Sequence, residues 1–197
     1  MQQTPDRLVQ IRWHGRGGQG AITAAKVVAE AAFRSGYHDV VMAPTFGTER
    51  RGAPVTTSLK LSASKIYDLS PITEPDVVVV LDHMILHEVD VTAGLKRGGW
   101  IVINSPHSAA KHCFPGFHIA TANVTRLGIE AGLRKGVVNS GVIGLLGAAT
   151  GLVDIDTLAT AIADEFTGRS PEANAQSARL AYAATHTIDC TGDPCHA

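Results

Sequence analysis

A chain of 197 residues, 45% hydrophobic and 18% charged with a formal net charge of −1, has the length of one domain and enough apolar material for a proper core. The charge balance leaves no electrostatic footprint for nucleic acid or an anionic membrane, and 5% aromatics supply no base-stacking platform. The odd set Cys113, Cys190 and Cys195 makes no disulfide framework, and no apolar segment comes after the polar Met1–Asp6. The expected compartment is therefore a reducing cytoplasm.

Leu8–Trp13 alternates, with Val9, Ile11 and Trp13 on one face, and reads as a first strand. A glycine-rich turn comes next. Ile22, Ala25, Ala29, Ala32 and Phe33 then recur at helical spacing, opposite Lys26, Glu30 and Arg34, which can pair in solvent, and Gly36 closes that helix. His38–Ala43 is a second strand. Between Pro44 and Pro54 lies a polar loop, and beyond it Val55, Thr57, Leu59 and Leu61 alternate with Thr56, Ser58 and Lys60. Two strands in succession without a helix predict an antiparallel inserted pair.

Asp76–Asp82 reads as a strand buried on both faces. After it come a short helix over about His83–Leu95, a strand Trp100–Asn104, a strand Phe117–Ala120 and a helix Ala122–Leu133. Val137–Val153 is apolar all round, interrupted by Gly141, Gly144, Gly147 and Gly151, which predicts a helix buried in its own core or against another subunit. With Asn139 and Ser140 inside it, it also falls short of the ~20 residues of a membrane span. Asp154 caps the next helix, and Ser170-Pro171-Glu172 reads as a capping serine, a first-turn proline and a favourable carboxylate at the start of the last.

These elements predict one α/β domain over residues 1–187: an open, mostly parallel Rossmann-like sheet with helices on both faces and a helical C-terminal third. Residues 188–197 read as a loose tail. In such sheets ligands sit at the carboxyl ends of the strands, where the glycine turn and the Pro44 loop both fall.

Gly15-Arg16-Gly17-Gly18-Gln19-Gly20 fits G-x-G-x-x-G between a strand and a helix. Bare backbone and the unpaired amides of a first helical turn suit a phosphate or carboxylate, and Arg16 adds a guanidinium. The bland alternative is a turn that only packs helix on sheet. A nicotinamide enzyme would need an acidic residue closing the second strand; Asp39 opens it, and Met42, Ala43 and Pro44 close it. His83 and His87, near Asp82 and Glu88, lie one turn apart without a marked third ligand, so no metal site is assigned.

The pair of stretches W-H-G-R-G-G-Q-G-A at Trp13–Ala21 and P-T-F-G-T-E-R-R-G-A-P-V at Pro44–Val55 resembles the gamma subunit of 2-oxoacid:acceptor oxidoreductases, of the pyruvate:ferredoxin oxidoreductase type. Asn139–Ala148 and the Ser170 helix start agree with it. The resemblance implies a partner chain without a catalytic residue of its own, in a complex that oxidatively decarboxylates a 2-oxoacid with coenzyme A, or runs in reverse. Thiamine diphosphate, Mg and [4Fe-4S] clusters would lie in alpha, beta and delta subunits, with ferredoxin or an NAD-reducing subunit as acceptor. Coenzyme A would fall to Gly15, Arg16, Gly17, Gly18, Gln19 and Gly20 together with Thr48, Glu49, Arg50 and Arg51. The two arginines could equally serve docking, and Glu49 could orient Arg50 or cap a neighbouring helix. The rival from another class is a free-standing NAD-binding Rossmann oxidoreductase.

Overall fold

The computed structural model describes residues 8–44 and 52–192. Seven strands form one sheet in the order β2-β3-β1-β4-β5-β6-β7: β1 Val9–Arg16, β2 Asp39–Pro44, β3 Pro54–Ser62, β4 Val77–Val80, β5 Trp100–Asn104, β6 His118–Ala122 and β7 His186–Asp189. β1, β4, β5 and β6 run parallel, while β3 is antiparallel to both β1 and β2, and β7 to β6. The inserted antiparallel pair is as the missing helix between β2 and β3 requires.

Five α-helices, α1 Ala21–Arg34, α2 Val124–Glu130, α3 Asn139–Thr150, α4 Ile155–Glu165 and α5 Pro171–Ala183, bury their apolar sides on one face with Val77, Val79, Val102 and Ala120. The alternate residues Val78, Val80, Ile101, Ile103 and Ile119 point the other way, where 3-10 turns at His83–His87 and Ala109–His112 cover them. α3 is surrounded within this chain and packs chiefly against α5. On α1, Arg34 pairs with Glu30 at 3.1 Å as the spacing predicts. Lys26 and Arg34 also reach Glu165 and Asp164, tying α1 to α4.

Several elements depart from the sequence expectation. Helix over His83–Leu95 is replaced by a single 3-10 turn and then further turns. The Asp90 carboxylate accepts from both the amide and the hydroxyl of Thr92, and Gly94 at φ 74 lies against Thr73 O, so the helical path is broken. Ser170 does not cap α5: it is left-handed (φ 58) and its side chain makes no capping bond, while Asn174 Nδ2 donates to the carbonyls of Arg169 and Ser170. α2 stops at Glu130, ahead of the left-handed Gly132. Ile188 is not in a loose tail but in β7, and Cys190 is joined to Cys113 in a disulfide, against the expectation of free thiols. Residues 193–197, which include Cys195 and His196, lie outside the described part.

Candidate functional site

β1 runs past Trp13 to Arg16, so Gly15 belongs to the strand and the turn proper begins at Gly17. Two backbone bonds join it to the far end of the Pro44 loop: Gly17 N–H donates to Ala53 O at 2.9 Å, and Gly52 N–H to Gly17 O at 3.2 Å. The glycine turn and the flank of the second stretch are thus adjacent. Thr48, Glu49, Arg50 and Arg51 lie outside the described residues.

Within the turn, Gln19 folds back on Arg16. The Arg16 amide donates to Gln19 Oε1 at 2.8 Å and the Gln19 amide to Arg16 O at 2.9 Å. Gly18 (φ 93) is exposed, and a Cβ there would meet nothing within 4 Å. Gly20 (φ 79) serves as N-cap of α1; a Cβ on it would lie 2.9 Å from Asn139 Nδ2, at the start of α3. Both positions therefore demand glycine, the second for two reasons.

The anions that Arg16 engages are supplied by its own chain. Its Nε donates to Asp82 Oδ2 at 3.0 Å, Nη1 to Gly52 O and to Glu88 Oε2 at 3.2 Å, and Nη2 to Glu88 Oε1. These bonds hold the guanidinium protonated beyond its ordinary range, Glu88 contributing most and Asp82 next. Burial disfavours the charged form of Asp82, yet the Met84 amide, Arg16 and Gln19 outweigh it and keep its carboxyl below the usual carboxylate value. Asp82 is the residue that sequence reading underrated: it joins Arg16, Gln19 (Nε2 to Oδ2, 3.4 Å) and the 3-10 turn after β4. The signal available was its place at the end of an all-apolar strand.

Beside the turn, at the carboxyl ends of β4, β5 and β6, is a cleft of about 350 Å³ lined by Gln19, Asp82, Asn104, Asn123 and Thr125, with Gly136 and Val138 from the α2–α3 loop. Buried Asn104 holds its wall by donating to Leu81 O at 2.9 Å and to Thr125 Oγ1 at 3.2 Å. Three long helices start along this edge. α3 opens against Gly20, and Ser140 on α3 donates to Asn174 of α5 at 2.7 Å. First-turn amides, which have no partner within their own helix, thus face the carboxyl edge from α1, α3 and α5.

His83 and His87 do not pair with each other. The His83 ring instead lies 5.7 Å from that of His107 and 6.4 Å from that of His112. Burial, and then the neighbouring His83, His107 and Lys111, depress the pKa of His112, whose Nε2 lies 2.8 Å from Ser105 Oγ. Among the described residues no group of three His, Cys, Asp or Glu side chains is placed to hold a metal ion. Asp39 is turned to other work at the amino end of β2, where its Oδ2 accepts from the Ile66 amide at 2.7 Å.

A mostly parallel sheet whose glycine turn stands beside a polar cleft at the carboxyl ends of its strands defines a Rossmann-like α/β domain. The family described as pyruvate ferredoxin/flavodoxin oxidoreductase matches residues 10–184. The pyruvate/ketoisovalerate oxidoreductases common subunit gamma of Pyrococcus abyssi is 43% identical over 92% of this chain and 100% of its own. The pyruvate synthase subunit PorC of Methanothermobacter thermautotrophicus is 40% identical over 89% of this chain and 94% of its own. The crystal structure of the pyruvate oxidoreductase subunit PORC of Thermotoga maritima superposes with a TM-score of 0.79 at 27% identity, covering 93% of this chain and 99% of that one. The chain belongs to the pyruvate ferredoxin/flavodoxin oxidoreductase family, as a gamma-type subunit of a 2-oxoacid oxidoreductase. The free-standing NAD-binding alternative finds no support in these relatives.

Proposed function

We propose that this chain serves, inside a complex with alpha, beta and delta subunits, to receive coenzyme A for a thiamine diphosphate-dependent oxidative decarboxylation of a 2-oxoacid to acyl-CoA and CO2, or its reverse. The observation that carries the reading is the junction of Gly17 with Gly52 and Ala53, which brings the glycine turn and the flank of the Glu49-Arg50-Arg51 loop to one point on the carboxyl edge. The residues fit an anionic ligand. Gly18 has open space where a side chain would stand, and three helix N-termini bias the edge toward negative charge. Arg50 and Arg51 add guanidinium donors suited to phosphate oxygens.

In this reading the chain holds no catalytic residue. Thiamine diphosphate, Mg and the [4Fe-4S] clusters belong to its partners, where they supply the carbanion and electron-transfer chemistry. The Pyrococcus relative is named as common to pyruvate and ketoisovalerate oxidoreductases. By analogy, the choice of 2-oxoacid here rests with other subunits, and the complex works in the cytoplasm with ferredoxin or an NAD-reducing subunit as acceptor.

The test is steady-state kinetics of the assembled complex carrying Arg51→Ala. The expected result is an apparent KM for coenzyme A raised roughly tenfold, the loss of one charge-assisted phosphate contact, with that for the 2-oxoacid unchanged. An unaltered coenzyme A KM in a fully assembled complex would assign the arginines to subunit docking instead.

A further inference from the structure

A second cleft, of about 470 Å³, opens between the α2–α3 loop and the α4–α5 junction. Its floor is apolar, made by Leu133, Val137 and Phe166, and Arg134 and Arg169 stand over it from opposite sides in sequence. Both arginines are exposed, as is Lys135 beside them. Several other arginines are ion-paired within the chain: Arg16 with Asp82 and Glu88, Arg34 with Asp164, Arg179 with Asp156. Arg134 and Arg169 engage no carboxylate among the described residues. This sets Arg134 and Arg169, with Lys135 beside Arg134, around an apolar floor.

We propose that this cleft docks an acidic segment of another subunit of the complex, its Asp or Glu carboxylates taken by Arg134 and Arg169 and an adjoining apolar side chain lying on Phe166 and Leu133. Planar guanidinium groups match carboxylates in two-pronged fashion, and a charged rim around an apolar centre is the ordinary anatomy of a subunit interface. The inference rests on the chain being a subunit, not on its binding coenzyme A. The α2–α3 loop is shared between the two clefts, since Gly136 and Val138 line the one beside Gln19 and Arg134 and Val137 line this one.

The test is co-purification of the gamma chain on tagged partner subunits. Arg134→Glu/Arg169→Glu should be retained at least roughly tenfold less than wild type at low salt, and wild-type retention should itself weaken as salt rises. A zero-length carbodiimide should join the Lys135 amine to an Asp or Glu of a partner subunit, identified by mass spectrometry of the intact complex. Should the reversed-charge chain fold poorly, Arg134→Gln/Arg169→Gln and the wild-type cross-link decide in its place. Undiminished retention together with no cross-link from Lys135 overturns the proposal. So does an intact assembly whose coenzyme A KM rises, which would make the cleft a nucleotide site. A docking defect with normal coenzyme A kinetics in the residual complex supports it whether or not the glycine turn binds the cofactor.

Discussion

Two stretches of this chain are glycine-rich, and they use the missing side chain in opposite ways. In the turn after β1, Gly18 is needed for its backbone angle and leaves open space in front of it. In α3 the backbone is ordinary helix, and the glycines are needed because neighbours press in: a Cβ on Gly144 would lie 2.0 Å from Ala178 O, and one on Gly141 would lie within 2.4 Å of Val124. One glycine-rich segment leaves open space in front of it. The other is already filled by the neighbouring helices, α5 above all. Composition alone does not distinguish them. Their surroundings in the chain do, since the turn leads into an amphipathic helix and the glycines of α3 are embedded in an all-apolar run.

The comparison breaks most violently at Gly144. Gly144→Ala forces α3 and α5 apart at a backbone contact that no rotamer change relieves, so a loss of about 4 kcal/mol or an insoluble chain is expected, measured by urea unfolding. A variant as stable as wild type would mean that α5 yields readily and the pairing is loose.

A second probe acts on β1, the strand that carries the turn. Buried His14 has its pKa pushed down to about 4, by burial first and then by the charge of Arg12, whose Nε lies 3.1 Å from its Nε2. The folded state therefore favours the neutral ring, and the unfolded chain takes up the proton first. Stability is complete above about pH 6.5 and is lost as pH falls toward 4, by up to about 3 kcal/mol. Unfolding midpoints across that interval should fall for wild type and flatten in His14→Gln; parallel slopes for the two would refute the assignment.

The smallest effect falls on Gly18. Gly18→Ala meets no neighbour and carries only the cost of a left-handed backbone, about 1 kcal/mol. Its stability should fall by no more than that strain, while the coenzyme A KM of the assembled complex should rise as a methyl group enters the open space. A large loss of stability with unchanged KM would place Gly18 with the glycines of α3, as a packing residue.

Much of the fold was legible because its signals are local. The alternation of β1, the run of valines in β4, the all-apolar α3 and the Asp154 cap, whose side chain does accept from the Thr157 amide, each depend on residues a few places apart. What escaped depends on distance along the chain. Arg16 and Glu88 are 72 positions apart, and nothing near either marks the other as its partner. The Cys113–Cys190 bridge spans 77 positions, and β7 is a strand because β6 offers an edge to it, the two strand formers Thr187 and Ile188 being too short a run to mark one alone. At Ser170 the local signal was present and still misled: the serine is left-handed and its hydroxyl makes no capping bond, while the helix start is held by Asn174 donating to the carbonyls of Arg169 and Ser170. The candidate site was legible as two motifs; that Asp82 clasps one of them was not.

The position of β7 has a bearing on how the molecule comes into being. Its neighbour β6 is complete once residue 122 has been synthesised, yet the strand that covers its outer side is made more than sixty residues later. A sheet formed without it would offer a bare row of amides and carbonyls, the kind of margin on which chains mispair. Only the arrival of His186–Asp189 closes it, and the covalent link at Cys190 then keeps the late-coming strand from peeling away.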